Sequence, residues 1–151
     1  MKVVSKQLTV SNKAFTLIEL LVVISIVGLL IGLSTFALQG ARESARDTRR
    51  KADMELIRSG IEIYKADCDV YPASLPAAGR ALMGNGSTST CLLTNEYISS
   101  IPSDPLNPTR TYYYSATAGQ TYELCAALES GGSATCGGSC GATCTYRLTN
   151  P

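Results

Sequence analysis

Two patterns of apolar and polar positions divide the chain. From Leu20 to Leu38 nineteen consecutive positions carry no charge. As a helix at about 1.5 Å per residue such a run spans ~28 Å, close to the ~30 Å hydrocarbon core of a bilayer. The sequence then continues as "QGARESARDTRRKADMELIRSGIEIYKAD" with no proline before Pro72. Ala45, Ala52, Leu56, Gly60 and Ile63 recur near helical spacing there, and Ile57 and Tyr64 widen the stripe. This predicts one helix over 15–67, apolar all round in its first half and amphipathic in its second. Asp47 and Lys51 are expected as an i,i+4 pair on its wet side. Gly28, Gly32 and Gly40 are soft points, read either as close helix packing in the membrane or as sites of local melting.

Beyond the helix the period changes. Residues 72–108 hold all but one of the six prolines and predict a connecting loop, with one short helix around "PAAGRALMG". "TYYYSAT", "AGQ" and "TYELCAALE" read as a hairpin. Tyr122, Leu124, Ala126 and Leu128 share the face expected to cover the helix, and Glu123, Cys125 and Glu129 share the other. "TCTYRL" is a third strand. The fold class is α+β: one long helix packed against a small antiparallel sheet, with the head spanning 68–151.

Composition and charge narrow the function. The chain has 151 residues, a formal net charge of +1 and no histidine. Charge gives no pull toward nucleic acid, and Ser–His–Asp catalysis, Cys–His catalysis and imidazole metal sites are excluded. No nucleotide-binding motif is present, so the chain is not expected to be an enzyme, nor to carry a cofactor. Residues 1–14, with Lys2, Lys6 and Lys13, precede the apolar run. They read as the leader of a signal anchor or, with a run too long for it, of a secretory signal peptide. Arg42, Arg46, Arg49, Arg50 and Lys51 follow the run, so charge alone does not orient it. Six cysteines place the head in an oxidising compartment. Cys68, Cys91, Cys125, Cys136, Cys140 and Cys144 are candidates for disulfides, with metal-bound or free thiols as the alternative. The favoured grouping is Cys68 with Cys91, and Cys125 with one tail cysteine. Asp67, Asp69 and Asp104 are read as solvated turn acids rather than a calcium site. Tyr112, Tyr113 and Tyr114 are read as sheet packing rather than a base-stacking platform. Arg46, Arg49, Arg50 and Lys51 are read as a solvated face or as contacts to acids on neighbours, rather than a phosphate site.

Glu19 is the anomaly, an acid at the entrance to a run that otherwise avoids charge. Snorkelling to the headgroups is the plain reading. However, Lys13-Ala14-Phe15-Thr16-Leu17-Ile18-Glu19 and the apolar run resemble the type IV pilin and pseudopilin family. "SGIEIYKADCDVYPASLP" and, more weakly, "EYISSIPSDPLNPTRTYYYSATAGQTYEL" extend the resemblance; residues 130–151 show none. It implies that a prepilin peptidase cleaves between Ala14 and Phe15 and methylates the new amine of Phe15. The family favours glycine where Ala14 stands. Removing three leader lysines would move the formal charge to −2. The resemblance further implies that Glu19 neutralises an N-terminal amine within a helical filament of this chain. Its partners would be the inner membrane, the peptidase, an assembly platform and a cytoplasmic ATPase, with DNA or a host surface conceivable but without support in the residues. The expected function is a structural subunit of a type IV pilus or related filament. The alternatives are a pseudopilin of a type II secretion or DNA-uptake machine, and a membrane-anchored extracellular binding module that never polymerises.

Overall fold

The computed structural model describes residues 15–117 and 119–150, the side chains of residues 35–37 excepted. The leader, with Ala14, lies outside the described residues. The element order is α1 (Leu17–Cys68), β1 (Leu82–Met83), β2 (Glu96–Ile98), β3 (Tyr113–Thr117), β4 (Thr121–Ala126) and β5 (Tyr146–Thr149). The chain forms two compact units, divided within α1 between Gly40 and Ala41.

Thr16 opens the helix. Its hydroxyl accepts a hydrogen bond from the Glu19 backbone N–H at 3.3 Å, as an N-cap residue does for one of the four unpaired N–H groups of a helix start. Through the apolar half the large side chains point outward, and the most hydrophobic stretch is wholly unburied, long and apolar enough to cross a membrane. Two of its hydroxyls are satisfied by the helix itself. Ser25 Oγ donates to Leu21 O and Ser34 Oγ to Leu30 O, both at 2.8 Å, which spares them an unpaired donor in hydrocarbon.

In the second unit the buried face of α1 overlaps the stripe predicted from sequence only in part. Ala45, Ala52, Leu56 and Ile63 are exposed, Leu56 at 48% and Ile63 at 55%, while Ile57, Gly60 and Tyr64 are buried. The core face runs Asp47, Arg50, Met54, Ile57, Ile61, Tyr64, Cys68, spaced alternately by three and four as one side of a helix requires. The predicted Asp47–Lys51 pair is likewise absent. Asp47 is buried and Lys51 reaches over the Tyr146 ring instead. Elsewhere the stripe failed because an Asp and an Arg occupy core positions and disguise that face as polar.

The head holds two small sheets. β1 and β2 pair antiparallel, and β3-β4-β5 form an antiparallel meander with Tyr114 opposite Leu124 and Cys125 opposite Arg147. β1 occupies the stretch predicted as a short helix. Tyr122, Leu124 and Ala126 join Met54, Ile57 and Ile61 in one core, as alternation along β4 predicts. Gly60 permits this packing. A Cβ there would lie 2.1 Å from Ile98 Cγ1, so only glycine lets β2 approach the helix.

Candidate functional site

Residues at two places bear on function: the start of α1 and the joint between its second half and the head. At the start, Phe15 is 81% exposed and Glu19 is exposed one turn on. Thr16 and Glu19 have the Thr-x-x-Glu spacing of a capping box. That signal was present in the sequence and passed unread beside the charge anomaly. Among the described residues, a Cβ at Gly28, Gly32 or Gly40 would meet nothing within 4 Å.

The joint centres on Arg50, whose side chain is fully buried. Its Nε and Nη2 donate to the two carboxylate oxygens of Asp104 at 2.8 and 3.1 Å. Its Nη1 donates to Asp47 at 2.7 Å and to Glu129 at 2.8 Å. Arg46 clasps both oxygens of Glu129. The backbone N–H groups of Glu129 and Ser130 donate to the Asp47 carboxylate, each at 2.9 Å. Burial pushes the Asp47 carboxyl up, yet these N–H donors and the Arg50 guanidinium hold it at about 2. The Arg46 hydrogen bond, opposed by burial and helped by Arg50, brings Glu129 to about 2. A network of this kind ties helix, loop and sheet in one register, because each buried charge is stable only with its partners in place.

This corrects four expectations. Arg50 is not part of a solvated basic face, and Arg46 pairs with Glu129 of its own head rather than standing in solvent or meeting acids on neighbours. Glu129 turns toward the helix rather than sharing the outer face of Glu123 and Cys125. Asp104 is no solvated turn acid; its side chain has no exposed surface. Arg49 does lie outward, 3.9 Å from Asp53.

Below the joint, tyrosine hydroxyls donate to helix acids: Tyr112 to Asp53 at 2.7 Å, Tyr71 and Tyr122 to Glu62 at 3.0 Å, and Tyr97 to Asp67 at 3.1 Å. Burial, aided by Asp53, pushes the Tyr112 hydroxyl above its ordinary range. Tyr114 donates to Pro72 O, and Tyr113 lies on the other face against Gly138. The three tyrosines therefore form no common platform. Nor do the three aspartates meet. Asp104 sits on Arg50 while Asp67 lies seventeen helix positions further, about 25 Å away along the axis.

All six cysteines are bonded: Cys68–Cys91, Cys125–Cys136 and Cys140–Cys144. The last pair lies outside the grouping favoured from sequence, which left the other tail cysteines open. Cys125, Ala127, Cys140 and Cys144 make a second small core with Tyr113 and Cys136 packed on it. Among the described residues, Glu123, Cys125 and Cys136 bring three potential metal-ligand atoms together. The two sulfurs are bonded to each other and Glu123 accepts from Gly137 N–H, so the group offers no thiolate to a metal.

A helix that opens at an aromatic residue with an acid one turn on, is apolar through its first half and then carries a small antiparallel sheet defines a pilin-like protein. A family model for the prokaryotic N-terminal methylation motif matches residues 10–35, and one for type II secretion system protein G matches residues 37–140. The chain belongs to the type II secretion system protein G family. It is similar to the type II secretion system core protein G of Pseudomonas aeruginosa, 31% identical over 127 residues, covering 81% of this chain and 89% of the relative. The Escherichia coli K12 protein of the same name is 31% identical over 101 residues, covering 64% of this chain and 68% of the relative. That of Dickeya chrysanthemi is 32% identical over 97 residues, covering 62% and 63%. No solved structure matches the chain significantly.

Proposed function

We propose that the chain is a pseudopilin, a non-catalytic structural subunit of a type II secretion filament. On this reading it is made as a single-pass membrane precursor, cut between Ala14 and Phe15, methylated at Phe15 and polymerised through α1 on the periplasmic side. The observation that carries the reading is the protein G match over residues 37–140, which takes in the head as well as the helix. It favours secretion over a type IV pilus. The exposed apolar half of α1 supports polymerisation, since its unburied large apolar side chains, from Leu20 to Leu33 and at Leu38, need lipid or other helices around them. Glu19 suits a role in register. A lone carboxylate in hydrocarbon costs about 2.5–3.5 kcal/mol on insertion scales, and an amine from Phe15 of a neighbour offsets that only when the helices are aligned. The sequence carries no nucleotide-binding motif, and on this reading the work of assembly is done by an ATPase elsewhere.

Deleting the gene in its host and measuring exported proteins in medium and periplasm tests the proposal. Exported proteins should accumulate in the periplasm, and a plasmid copy should restore release. Normal export combined with loss of long surface filaments would overturn it and return the pilus reading.

A further inference from the structure

Asn85-Gly86-Ser87 has the Asn-x-Ser pattern of an N-glycosylation acceptor, with a residue other than proline in the middle. Asn107-Pro108-Thr109 repeats the pattern but carries the proline that blocks it. The pattern is short, and the fold decides whether it can react. Asn85 and Ser87 are exposed, in a polar loop that continues through Ser89 and Thr90, both exposed as well. Gly86 turns the chain there with a φ of 74°, a conformation that glycine enters without strain. The Ser87 N–H donates to Asn85 Oδ1 at 2.8 Å. A backbone N–H needs an oxygen to accept it, so this bond fixes which way the carboxamide faces. It leaves Nδ2, the nitrogen that would carry a sugar, with no partner among the described residues. By contrast, Asn95 Nδ2 donates to Thr90 O at 2.7 Å. The Ser87 hydroxyl donates to Cys68 O at 3.3 Å, long for an O–H···O bond and so readily exchanged for a group of a transferase. Cys91, in the same loop, is bonded to Cys68, which puts Asn85 on the oxidising side, where glycans are attached to exported chains.

The surroundings of Asn85 give a glycan something to cover. Among the described residues of the head, Met83, Leu92 and Leu93 are the large aliphatic side chains left exposed, Leu93 at 70%. All three flank Asn85. Met83 lies two residues before it. Leu92 and Leu93 lie on the opposite limb of the loop, held against the first by Gly84 N–H to Asn95 O at 2.9 Å and Gly86 N–H to Cys91 O at 2.8 Å. A Cβ on Gly86 would lie 3.6 Å from Leu93 Cγ, so Leu93 stands beside the reacting residue. Clustered exposed apolar side chains mark a surface that something else meets, and a sugar ring presents apolar C–H faces as well as hydroxyls. We propose that Asn85 is N-glycosylated and that the glycan lies over Met83, Leu92 and Leu93. The donor is an oligosaccharide carried on a lipid diphosphate. A bond forms between Asn85 Nδ2 and the anomeric carbon of the first sugar, the bond from that carbon to the diphosphate oxygen breaks, and one amide proton is lost as the lipid diphosphate leaves. Nothing is oxidised or reduced. The competing reaction of an Asn-Gly pair is attack of the glycine nitrogen on the side-chain carbonyl with loss of ammonia. It is opposed here because the Gly86 N–H is engaged by Cys91 O.

The test is peptide mapping by mass spectrometry of the full chain purified from its host. The peptide covering residues 81–110 should carry a glycan on Asn85. Asn85→Gln and Ser87→Ala should each lose it, and Ser87→Thr, which keeps the hydroxyl, should retain it. Each variant should keep the Cys68–Cys91 bridge, which shows that the loop has formed. Dilute peroxide should oxidise Met83 faster in Asn85→Gln than in the parent or in Ser87→Thr, with the buried Met54 as internal reference. An unmodified Asn85, deamidation alone, or a sugar found instead on the hydroxyl of Ser87, Ser89 or Thr90 would overturn the glycosylation. Equal oxidation of Met83 in the parent and Asn85→Gln would overturn the covering of the apolar side chains. Neither failure touches the secretion reading, whose own failure shows as normal export in the deletion strain.

Discussion

Replacing Arg50 with methionine would show how far the helix–head joint depends on one side chain. The substitution keeps most of the buried volume and removes the guanidinium. Asp104 then loses both donors from Arg50 and keeps only the Leu106 N–H, with its side chain still unexposed. Asp47 retains two backbone donors and Glu129 retains Arg46, so the uncompensated charge is concentrated on Asp104. Removing one partner of a buried ion pair destabilises by about 3–5 kcal/mol, against a total of about 5–15 kcal/mol for a typical domain. For a domain near 100 residues that corresponds to a midpoint lowered by about 10–20 °C. Thermal unfolding of the full chain in detergent, followed through the tyrosine near-ultraviolet signal, measures it. Adding Asp104→Leu to Arg50→Met should recover a good part of the loss, because the stranded charge is gone. A shift under about 3 °C for the single variant, or a double variant no better than the single, would refute the argument that Arg50 is needed chiefly to neutralise Asp104.

Acid should loosen the same joint. Asp47 and Glu129 have carboxyls lowered to about 2 from ordinary values of 3.8 and 4.5, so their contribution is full above about pH 4.5 and lost as pH falls toward 2, and a midpoint flat from pH 5 down to 2 would contradict this. Gly60→Ala should destabilise by about 1–3 kcal/mol in denaturant titration through its clash with Ile98, despite alanine's better helix propensity, and Ile98→Ala in the same chain should remove the clash term. Cys125→Ser with Cys136→Ser should lower stability by about 2–4 kcal/mol and raise protease cleavage within residues 130–145, seen by mass mapping; an unchanged digestion pattern would show that the tail is held by other means. Glu19→Leu should insert into membranes as well as the parent, yet assemble poorly, and Glu19→Gln should fail too; normal filament numbers in either would remove the carboxylate from assembly.

Legibility in the sequence followed the strength of local signals. The long helix, the β3–β4 hairpin and the inward set Tyr122, Leu124 and Ala126 were readable because period and turn residues agree over many positions. The core face of α1 was readable only at Ile57, Gly60 and Tyr64. Ala45, Ala52, Leu56 and Ile63 mimic a buried stripe, while the true one begins with Asp47 and Arg50, which hydropathy assigns to water. Their partners, Asp104 and Glu129, lie 54 and 79 positions from Arg50, and no local rule joins residues so far apart. β1 was missed because two residues between turns carry no period. The cavity lined by Tyr113 and Tyr114 arises from four segments of the chain and has no signature in any of them.

The Cys68–Cys91 bridge sits at the last residue of α1 and has a mechanical consequence. A filament subunit that is pushed or hauled by its helix experiences load as shear between helix and head. Apolar contacts and hydrogen bonds slip under sustained force, whereas a disulfide in an oxidising compartment does not open on that timescale. The bridged end is therefore a fixed pivot, and any peeling of helix from head has to start at the other end, where Arg46 and Arg50 hold Glu129 and Asp104. The subunit would yield from its membrane side first, and would return to register on release because its far end had never let go.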